Sequence, residues 1–435
     1  MTRPRIVIAG AGYVGLYTAR RLQRKLRRAE ASVTVVDPRP YLTYQPLLSD
    51  AAAGTVEPRH VVTPHRHVLD KSRVLTGSVV GVDSKARTTQ VAVADGHTET
   101  LNYDVLVVAP GSVTKILPVP GLAEQAIGFT TLGEAIYLRN HVLSQLDKAA
   151  STADPRLRRK LLTFMFVGGG YAGVEALGQL EEMARTAVKR YHAELDVDDM
   201  RWMLVEAADR IMPEVSRSLA EYAVDVLRER GMDVYLETTT DTVENGHVEL
   251  SDGTEFDTAT IVWTTGVSPH PMLDGTDLPR DDKGRVRCRA TLEVEGHDDV
   301  FAAGDCAAVP DLTKDDPEAT CPPTAQHAVR QAKQLADNIT AKIRGKPVRP
   351  YRHEFAGSVA SLGLHDGVAE IRGRKVKGWP AWAMHRLYHL SQMPTINRRV
   401  RLAVDWSLAL AFRREIVALG EIHKPTAEFT EQTES

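Results

Sequence analysis

Arg5-Ile-Val-Ile-Ala-Gly-Ala-Gly-Tyr-Val-Gly15 and, later in the chain, Leu162-Thr-Phe-Met-Phe-Val-Gly-Gly-Gly-Tyr-Ala-Gly173 decide the fold. Their glycines keep one register, 158 residues apart. Each segment is an apolar strand-like run, a GxGxxG turn and the start of a helical stretch. Each then leads to a second apolar run closed by an acid, Ser32-Val-Thr-Val-Val-Asp37 in the first and Met203-Leu-Val-Glu206 in the second. Strand, glycine turn, helix, strand and carboxylate make a βαβ unit for a dinucleotide. Gly10 allows the tight turn, Gly12 lets pyrophosphate approach, and Gly15 packs helix on strand. Gly168, Gly170 and Gly173 repeat those roles. Backbone amides and the positive end of the helix dipole then face the phosphates.

The carboxylates carry further information. Asp37 and Glu206 stand where an acid grips ribose hydroxyls. A carboxylate at Glu206 repels a 2′-phosphate and favours NADH over NADPH, although Arg210 softens the contrast. The distance from Gly173 to Glu206 exceeds the usual spacing of about 20 residues, so the second crossover helix must be long.

Length and composition fit this reading. A chain of 435 residues, 43% hydrophobic and 26% charged, has room for two or three domains. A net charge of −3 offers no argument for nucleic acid as a partner. Cys288, Cys306 and Cys321 form no CxxC and no even framework, which suits a reducing cytoplasm. Met1-Thr-Arg-Pro-Arg5 runs directly into the first strand, so no signal peptide is expected. Apolar runs such as Ser407–Phe412 fall far short of the roughly 20 residues a membrane span needs. Charge is nevertheless uneven: residues 372–414 hold ten Lys or Arg against one acid, Asp405, with three of the five tryptophans, Trp379, Trp382 and Trp406.

Between the two motifs, Val74–Val80, Thr88–Val93 and Tyr103–Val108 read as strands, and Pro118 with Pro120-Gly121 as a linker. A helix over Ser218–Arg230 ends at Gly231, and a strand over Thr260–Thr264 stops at Gly266. A helix is expected over Ala325–Lys342. Strand patterning follows to Ile371, then two amphipathic helices and a polar tail after His423. The fold class is α/β, with two Rossmann-like dinucleotide-binding domains and a C-terminal membrane-docking domain. The expected boundaries are 1–115 and 291–346 for the first domain, 116–290 for the second, and 347–435 for the C-terminal one.

Three further pieces resemble the flavoproteins with two dinucleotide-binding domains. They are Val107-Val-Ala-Pro-Gly-Ser112, with Ala109 and Gly111; Val262-Trp-Thr-Thr-Gly266; and Asp299-Val-Phe-Ala-Ala-Gly-Asp305, with Gly304 and Asp305. That resemblance covers about residues 5–345. It implies FAD in the first site, with Asp305 on the ribityl chain, and the nicotinamide nucleotide in the second.

Within that group the chain resembles the type II NADH dehydrogenases, single-chain NADH:quinone oxidoreductases of respiratory membranes. Tyr41-Leu-Thr-Tyr-Gln-Pro-Leu-Leu48 with Ala52-Ala-Gly54, Gly168-Gly-Gly-Tyr-Ala-Gly-Val-Glu175 and Pro322-Pro-Thr-Ala-Gln-His-Ala-Val-Arg-Gln331 carry the likeness, with the Trp-rich basic C-terminus and Asn397-Arg398. The resemblance implies that Glu175 lies beside the nicotinamide–flavin contact, and that the helix opening at Ala325 with Gln326 serves a membrane quinone. Its amides can stabilise negative charge on a reduced flavin ring. Two departures stand out: Arg330 replaces a usual glutamine, with Gln331 one place later, and Ser49-Asp50 replaces a more apolar pair.

Residues from Gly378 to Leu419 are expected to dock in-plane on anionic lipid at the cytoplasmic face of the membrane, without spanning it. Ala383, Leu387 and Leu390 would form one apolar face and Val404, Leu408 and Ala411 another. The three tryptophans would sit in the headgroup layer, and Arg398, Arg399, Arg401, Arg413 and Arg414 would meet phosphates. Packing on the body, or on a second subunit in a homodimer, is the alternative. Arg20–Arg28 reads as the solvated face of a crossover helix, and His60, His65 and His67 lack metal-site spacing. The rival functions are a soluble reductase serving a protein such as ferredoxin, a sulfide:quinone reductase, which the absent cysteine pair opposes, and a flavin-bound redox sensor.

Overall fold

The computed structural model describes residues 3–354, 357–363, 365–412 and 416–419. The chain forms two compact units: Met1–Thr43, Val62–Val113 and Val267–Phe355 in the first; Tyr44–Val61, Thr114–Gly266 and Ala356–Ser435 in the second.

In the first unit, strands run in the order Val300–Ala302, Val105–Val108, Arg5–Ala9, Ser32–Asp37 and Arg73–Asp83, followed by Thr88–Val93 and Thr98–Asn102. The first five are parallel, with Ile6 facing Val33 on one side and Val105 on the other. The last two are antiparallel. Every residue of Val105–Val108 is buried, as a parallel strand covered on both faces requires. Helix Tyr13–Lys25 packs against helix Ala325–Ile343. Thr18 Oγ1 donates to the Ala332 carbonyl at 3.3 Å, and Arg21 and Lys25 both reach Asp337, at 2.5 and 2.7 Å. The basic run on this helix is therefore partly committed within the unit.

The second unit repeats the plan. Its parallel sheet runs Ala126–Gly128, Thr260–Trp263, Thr163–Val167, Arg201–Val205 and Asp233–Tyr235. The crossover helix Tyr171–Tyr191 has 21 residues, which accounts for the long spacing from Gly173 to Glu206. A three-stranded antiparallel sheet, Gly357–Gly363, Asp366–Ile371 and Arg374–Lys377, packs on that helix. The approach is close at Gly178, where a Cβ would stand 2.5 Å from the Leu362 carbonyl oxygen. Helix Trp379–Gln392 covers this sheet, and helix Ile396–Ala411 follows.

The units divide at places the sequence does not announce. The middle segment of the second unit ends at Gly266, not near residue 290, and Val286–Arg287 pairs with Ala307–Ala308 within the first. Residues up to 355 also stay with the first unit, where the Tyr351 amide donates to the Ala290 carbonyl at 2.7 Å. Conversely, Tyr44–Val61 belongs to the second unit, its short helix Leu48–Ala52 packing on helices Leu132–Ser151 and Tyr171–Tyr191. Strand Arg374–Lys377 escapes a hydrophobic reading because it is a charged edge. Arg413, Arg414 and the tail after His423 lie outside the described residues.

Candidate functional site

The first glycine turn is shaped by contacts a side chain would break. Gly10 has φ +97°, and a Cβ there would lie 2.2 Å from the Ala109 carbonyl oxygen; one on Gly15 would lie 1.8 Å from that of Gly10. Gly12 differs, since nothing would stand within 4 Å of its Cβ, and that open face suits a pyrophosphate. Asp37 Oδ2 accepts from the Ala11 amide at 2.7 Å and Oδ1 from that of Arg39 at 2.8 Å. The acid thus ties the glycine turn to the second strand while standing where ribose hydroxyls would donate.

Gly111, with φ +76°, and Gly304, with φ +79°, close the same cradle. The Asp305 carboxylate accepts from Ser112 Oγ at 2.8 Å, and burial pushes its pKa up. A half-buried carboxylate with a hydroxyl partner suits the further hydroxyl donors of a ribityl chain. Gln331 Oε1 accepts from the Gly304 amide at 2.7 Å, bracing this turn. Ala325 starts its helix behind Thr324, whose hydroxyl accepts from the His327 amide at 3.3 Å. These residues could hold FAD.

The second cradle matches the first group by group. Gly168 has φ +105° and its Cβ would lie 2.6 Å from the Thr264 carbonyl oxygen; a Cβ on Gly173 would lie 2.1 Å from that of Gly168. Gly170 is open, as Gly12 is. Glu206 Oε2 accepts from the Gly169 amide at 2.6 Å and Oε1 from that of Ala208 at 2.8 Å, the arrangement Asp37 makes. Gly266, with φ +98°, follows the strand beside the turn. These residues could hold NADH.

Glu175 projects from the same crossover helix and is 6% exposed. Its Oε1 accepts from the Ser361 amide at 3.0 Å and lies 3.1 Å from His385 Nε2. The imidazole is close enough for an ion pair, yet among the described residues Nε2 has no aligned hydrogen bond. One turn along, His389 Nδ1 and the Tyr44 hydroxyl are 3.0 Å apart. On the neighbouring stripe, Arg386 stacks over Trp382 and Trp406, 4.2 and 5.0 Å from the ring centroids. Its guanidinium stands 3.8 Å from Asp50, which also accepts from Trp406 Nε1 at 3.3 Å and from Thr55 Oγ1 at 3.0 Å.

This arrangement corrects the expectation for the tryptophans. Trp382 and Trp406 are 5% and 7% exposed and clamp an arginine inside the unit; only Trp379, 60% exposed, is free for a headgroup layer. The sequence could not separate them, because all three lie in amphipathic helices, and the cation–π stacking that draws Trp382 and Trp406 inward depends on Arg386 and its distant counterion Asp50.

In the first unit, Gln326 Oε1 and His353 Nε2 are 3.0 Å apart, and Arg330 Nη1 donates to the Gln326 carbonyl at 3.0 Å. Burial and then Arg330 lower the His353 pKa to about 4.

Residues 4–332 match the pyridine nucleotide-disulphide oxidoreductase family. The type II NADH:quinone oxidoreductase Ndh of Mycobacterium tuberculosis is 32% identical over 430 residues, covering 95% of this chain and 89% of its own. The chain belongs to the type II NADH:quinone oxidoreductases. The Staphylococcus epidermidis member is 30% identical over 382 residues, 86% of this chain and 92% of its own. NDH2 from Plasmodium falciparum, solved in complex with NADH, shares the fold at TM-score 0.88 with 16% identity, over 96% of this chain and all of that one.

In this member of the type II family the departures acquire a physical context. Asp50 is buried as the counterion of Arg386, and Gln331 braces Gly304 while Arg330 caps its own helix turn at Gln326. Tyr44, His385, His389 and Ser361 were not singled out from the sequence. The available signal was a pair of histidines at i and i+4, one helical face, in a chain segment already marked as unusual. His60, by contrast, faces Asp405 at 2.6 Å, and no group of three or more His, Cys, Asp or Glu among the described residues could hold a metal ion. The three thiols are buried, and burial raises the pKa of Cys306 to about 12 and that of Cys321 to about 11.

Proposed function

We propose that this type II NADH:quinone oxidoreductase accepts a hydride from NADH onto FAD and delivers two electrons to a membrane quinone. The observation that carries the reading is the duplicated cradle, two open glycine turns each tied to a strand-end carboxylate. When bound, FAD supplies the conversion from hydride transfer to quinone reduction. Gly10, Gly12, Gly15, Asp37, Ala109, Gly111, Gly304, Asp305 and Ala325 hold it. Gly168, Gly170, Gly173, Glu206 and Gly266 hold NADH. Glu175 serves the redox chemistry from the second unit. Gln326, in the first turn of its helix, offers its amide to a quinone carbonyl.

The acceptor is lipid-soluble, and the enzyme meets it from the membrane surface. Ile396, Val400, Val404 and Leu408, spaced by four along one helix, are all exposed, as are Leu387 and Trp379. Exposed Arg399 and Arg401 lie on the same helix. No helix among the described residues is long and apolar enough to cross a membrane. An apolar stripe with basic neighbours suits in-plane binding to anionic lipid, here at the inner face of the cell membrane. A second copy covering the stripe in a homodimer is the competing arrangement.

The test is anaerobic. The yellow protein is reduced with NADH, then mixed with a membrane-quinone analogue while flavin absorbance is followed. Bleaching by NADH and rapid recovery with the quinone are expected; recovery with ferredoxin but not quinone would overturn the acceptor.

A further inference from the structure

We propose that His353 is a positioning residue for quinone reduction: it fixes the side-chain amide of Gln326 so that Nε2, the donor end, meets the acceptor's carbonyl oxygen. This rests on the reading of Gln326 as an acceptor-side group and adds what sets the end it presents. A quinone carbonyl oxygen only accepts hydrogen bonds, whereas a glutamine amide accepts at Oε1 and donates at Nε2. Turned end for end, the same side chain opposes oxygen to oxygen and repels the acceptor. A long side chain also loses rotamer freedom when the acceptor catches it, unless a neighbour has already ordered it.

The neighbour is in place. The first two turns of helix Ala325–Ile343 present two faces. His327 and Gln331, four apart, turn inward, 4% and 2% exposed. Gln326 and Arg330, also four apart, lie on a half-buried face that an acceptor can approach. His353 meets that face, with Nε2 3.0 Å from Gln326 Oε1. The segment carrying His353 is anchored independently of this contact. Tyr351 is buried, its hydroxyl 3.0 Å from His327 Nδ1 and its amide donating to the Ala290 carbonyl at 2.7 Å. Two residues earlier, the Arg349 amide donates to Asn338 Oδ1 at 3.0 Å, and Asn338 Nδ2 donates to the Arg349 carbonyl at 2.8 Å. The helix end is held too, because Arg330 Nη1 donates to the Gln326 carbonyl at 3.0 Å. All these residues belong to the first unit.

The state of the imidazole decides which way round the amide sits. Burial, then Arg330 and His327, lower the pKa of His353 to about 4, against the opposing pull of Glu354 and Asp311. The His327 ring stands edge-on to it, 5.8 Å between centroids. At neutral pH the ring is therefore uncharged, with one nitrogen donating and the other accepting. With its hydrogen on Nε2, His353 donates to Gln326 Oε1 and turns the amide's Nε2 toward the acceptor. With the hydrogen on Nδ1, the amide would turn the other way. A packing role alone would be met by an apolar side chain and would be indifferent to the tautomer.

The test uses the full chain loaded with FAD and reads the two half-reactions separately by stopped flow, with NADH as donor and ubiquinone-1 as acceptor. His353→Leu should raise the ubiquinone-1 concentration for half-maximal reoxidation at least fivefold, while reduction by NADH stays within about twofold. His353→Gln, which keeps an N–H donor, should return that concentration to within about twofold of wild type. On a Gln326→Ala background, His353→Leu should add less than about twofold, because the group it positions is already gone. In resting wild type, the His353 imidazole, assigned by its loss in His353→Gln, should show the 15N shifts of a ring protonated at Nε2. An unchanged quinone dependence in His353→Leu, no rescue by His353→Gln, an additive double variant, or a ring protonated at Nδ1 would each overturn the positioning role. Should His353→Leu fail to fold, His353→Phe, which keeps a ring and removes both nitrogens, carries the same expectations. Reoxidation of Gln326→Ala at the wild-type rate and quinone dependence would instead refute the underlying acceptor reading, and the role of His353 with it.

Discussion

A single carboxylate at each strand end ties the glycine turn through a backbone amide and stands where the proposed nucleotide's ribose would lie, and a donor preference is expected from that. Glu206 holds the glycine turn through the Gly169 amide at 2.6 Å, so truncation to alanine would disturb the turn as well as the charge. Glu206→Gln keeps an acceptor and removes the charge. A carboxylate facing a 2′-phosphate in a partly shielded site costs on the order of 1–3 kcal/mol, about tenfold or more in rate. The wild-type flavin should be reduced faster by NADH than by NADPH at equal concentration, and Glu206→Gln should narrow the gap by about tenfold. Faster reduction of wild type by NADPH would remove Glu206 from this role. The thiols give a second prediction. Cys306 and Cys321 are buried, with pKa values near 12 and 11, and Cys288 is raised by burial as well, so none is a thiolate at neutral pH. Replacing all three by alanine should leave both half-reactions within about twofold in the folded, FAD-loaded protein; loss of turnover there would revive a thiol relay. Asp37 and Glu206 were legible because their partners are local in the motif. Asp50 and Tyr44 were not, because their partners Trp406 and His389 lie 356 and 345 positions away.

The C-terminal helices show the same division at the scale of an element. Their existence and amphipathic period could be read directly, with Trp379–Gln392 and Ile396–Ala411 found where two such helices were expected. Which face turns inward could not, since both faces mix aromatic, aliphatic and basic residues and the choice depends on Asp50 in a distant segment. Burying Arg386 between two indoles requires a counterion, and Asp50 supplies it. With Trp382 and Trp406 used inside, the proposed lipid contact falls to the exposed stripe Ile396, Val400, Val404 and Leu408. Val400→Asp with Leu408→Asp should release the enzyme from anionic liposomes at low salt in a co-sedimentation assay, while NADH still reduces the flavin. Arg398→Glu with Arg399→Glu should weaken binding more at low salt than at high salt, because screening already reduces the electrostatic part. If wild type stays in the supernatant at low salt, docking gives way to packing against a second copy.

For the whole molecule, the glycine motifs made the α/β class and its duplication legible, whereas the return of the chain at Val267 depends on long-range strand pairing that no local pattern encodes. A global consequence of that assembly is a set of histidines stored neutral. Burial lowers the pKa of His270, His327 and His389, and that of His353 to about 4. An unfolded chain protonates these groups near pH 6.5, but the folded chain resists until lower pH. Below about 6.5 the unfolded state therefore binds more protons, and stability falls as pH falls. The window for His353 runs from about 6.5 down to about 4. Asp104, Asp311 and Asp337 have lowered pKa values, so the stability they add is lost only further down, as pH drops through the carboxylate range. Asp305, raised by burial, acts in the opposite sense above its unfolded value. The histidine limb should thus appear first. With FAD saturating, Tm should decline between pH 7 and pH 5, before carboxylates titrate. His353→Gln, which keeps a polar partner for Gln326 and cannot charge, should flatten that limb while leaving Tm at pH 8 within a few degrees. A wild-type Tm that holds level from pH 7 to pH 5 would show that these histidines gain their protons in the folded state as readily as in the unfolded one.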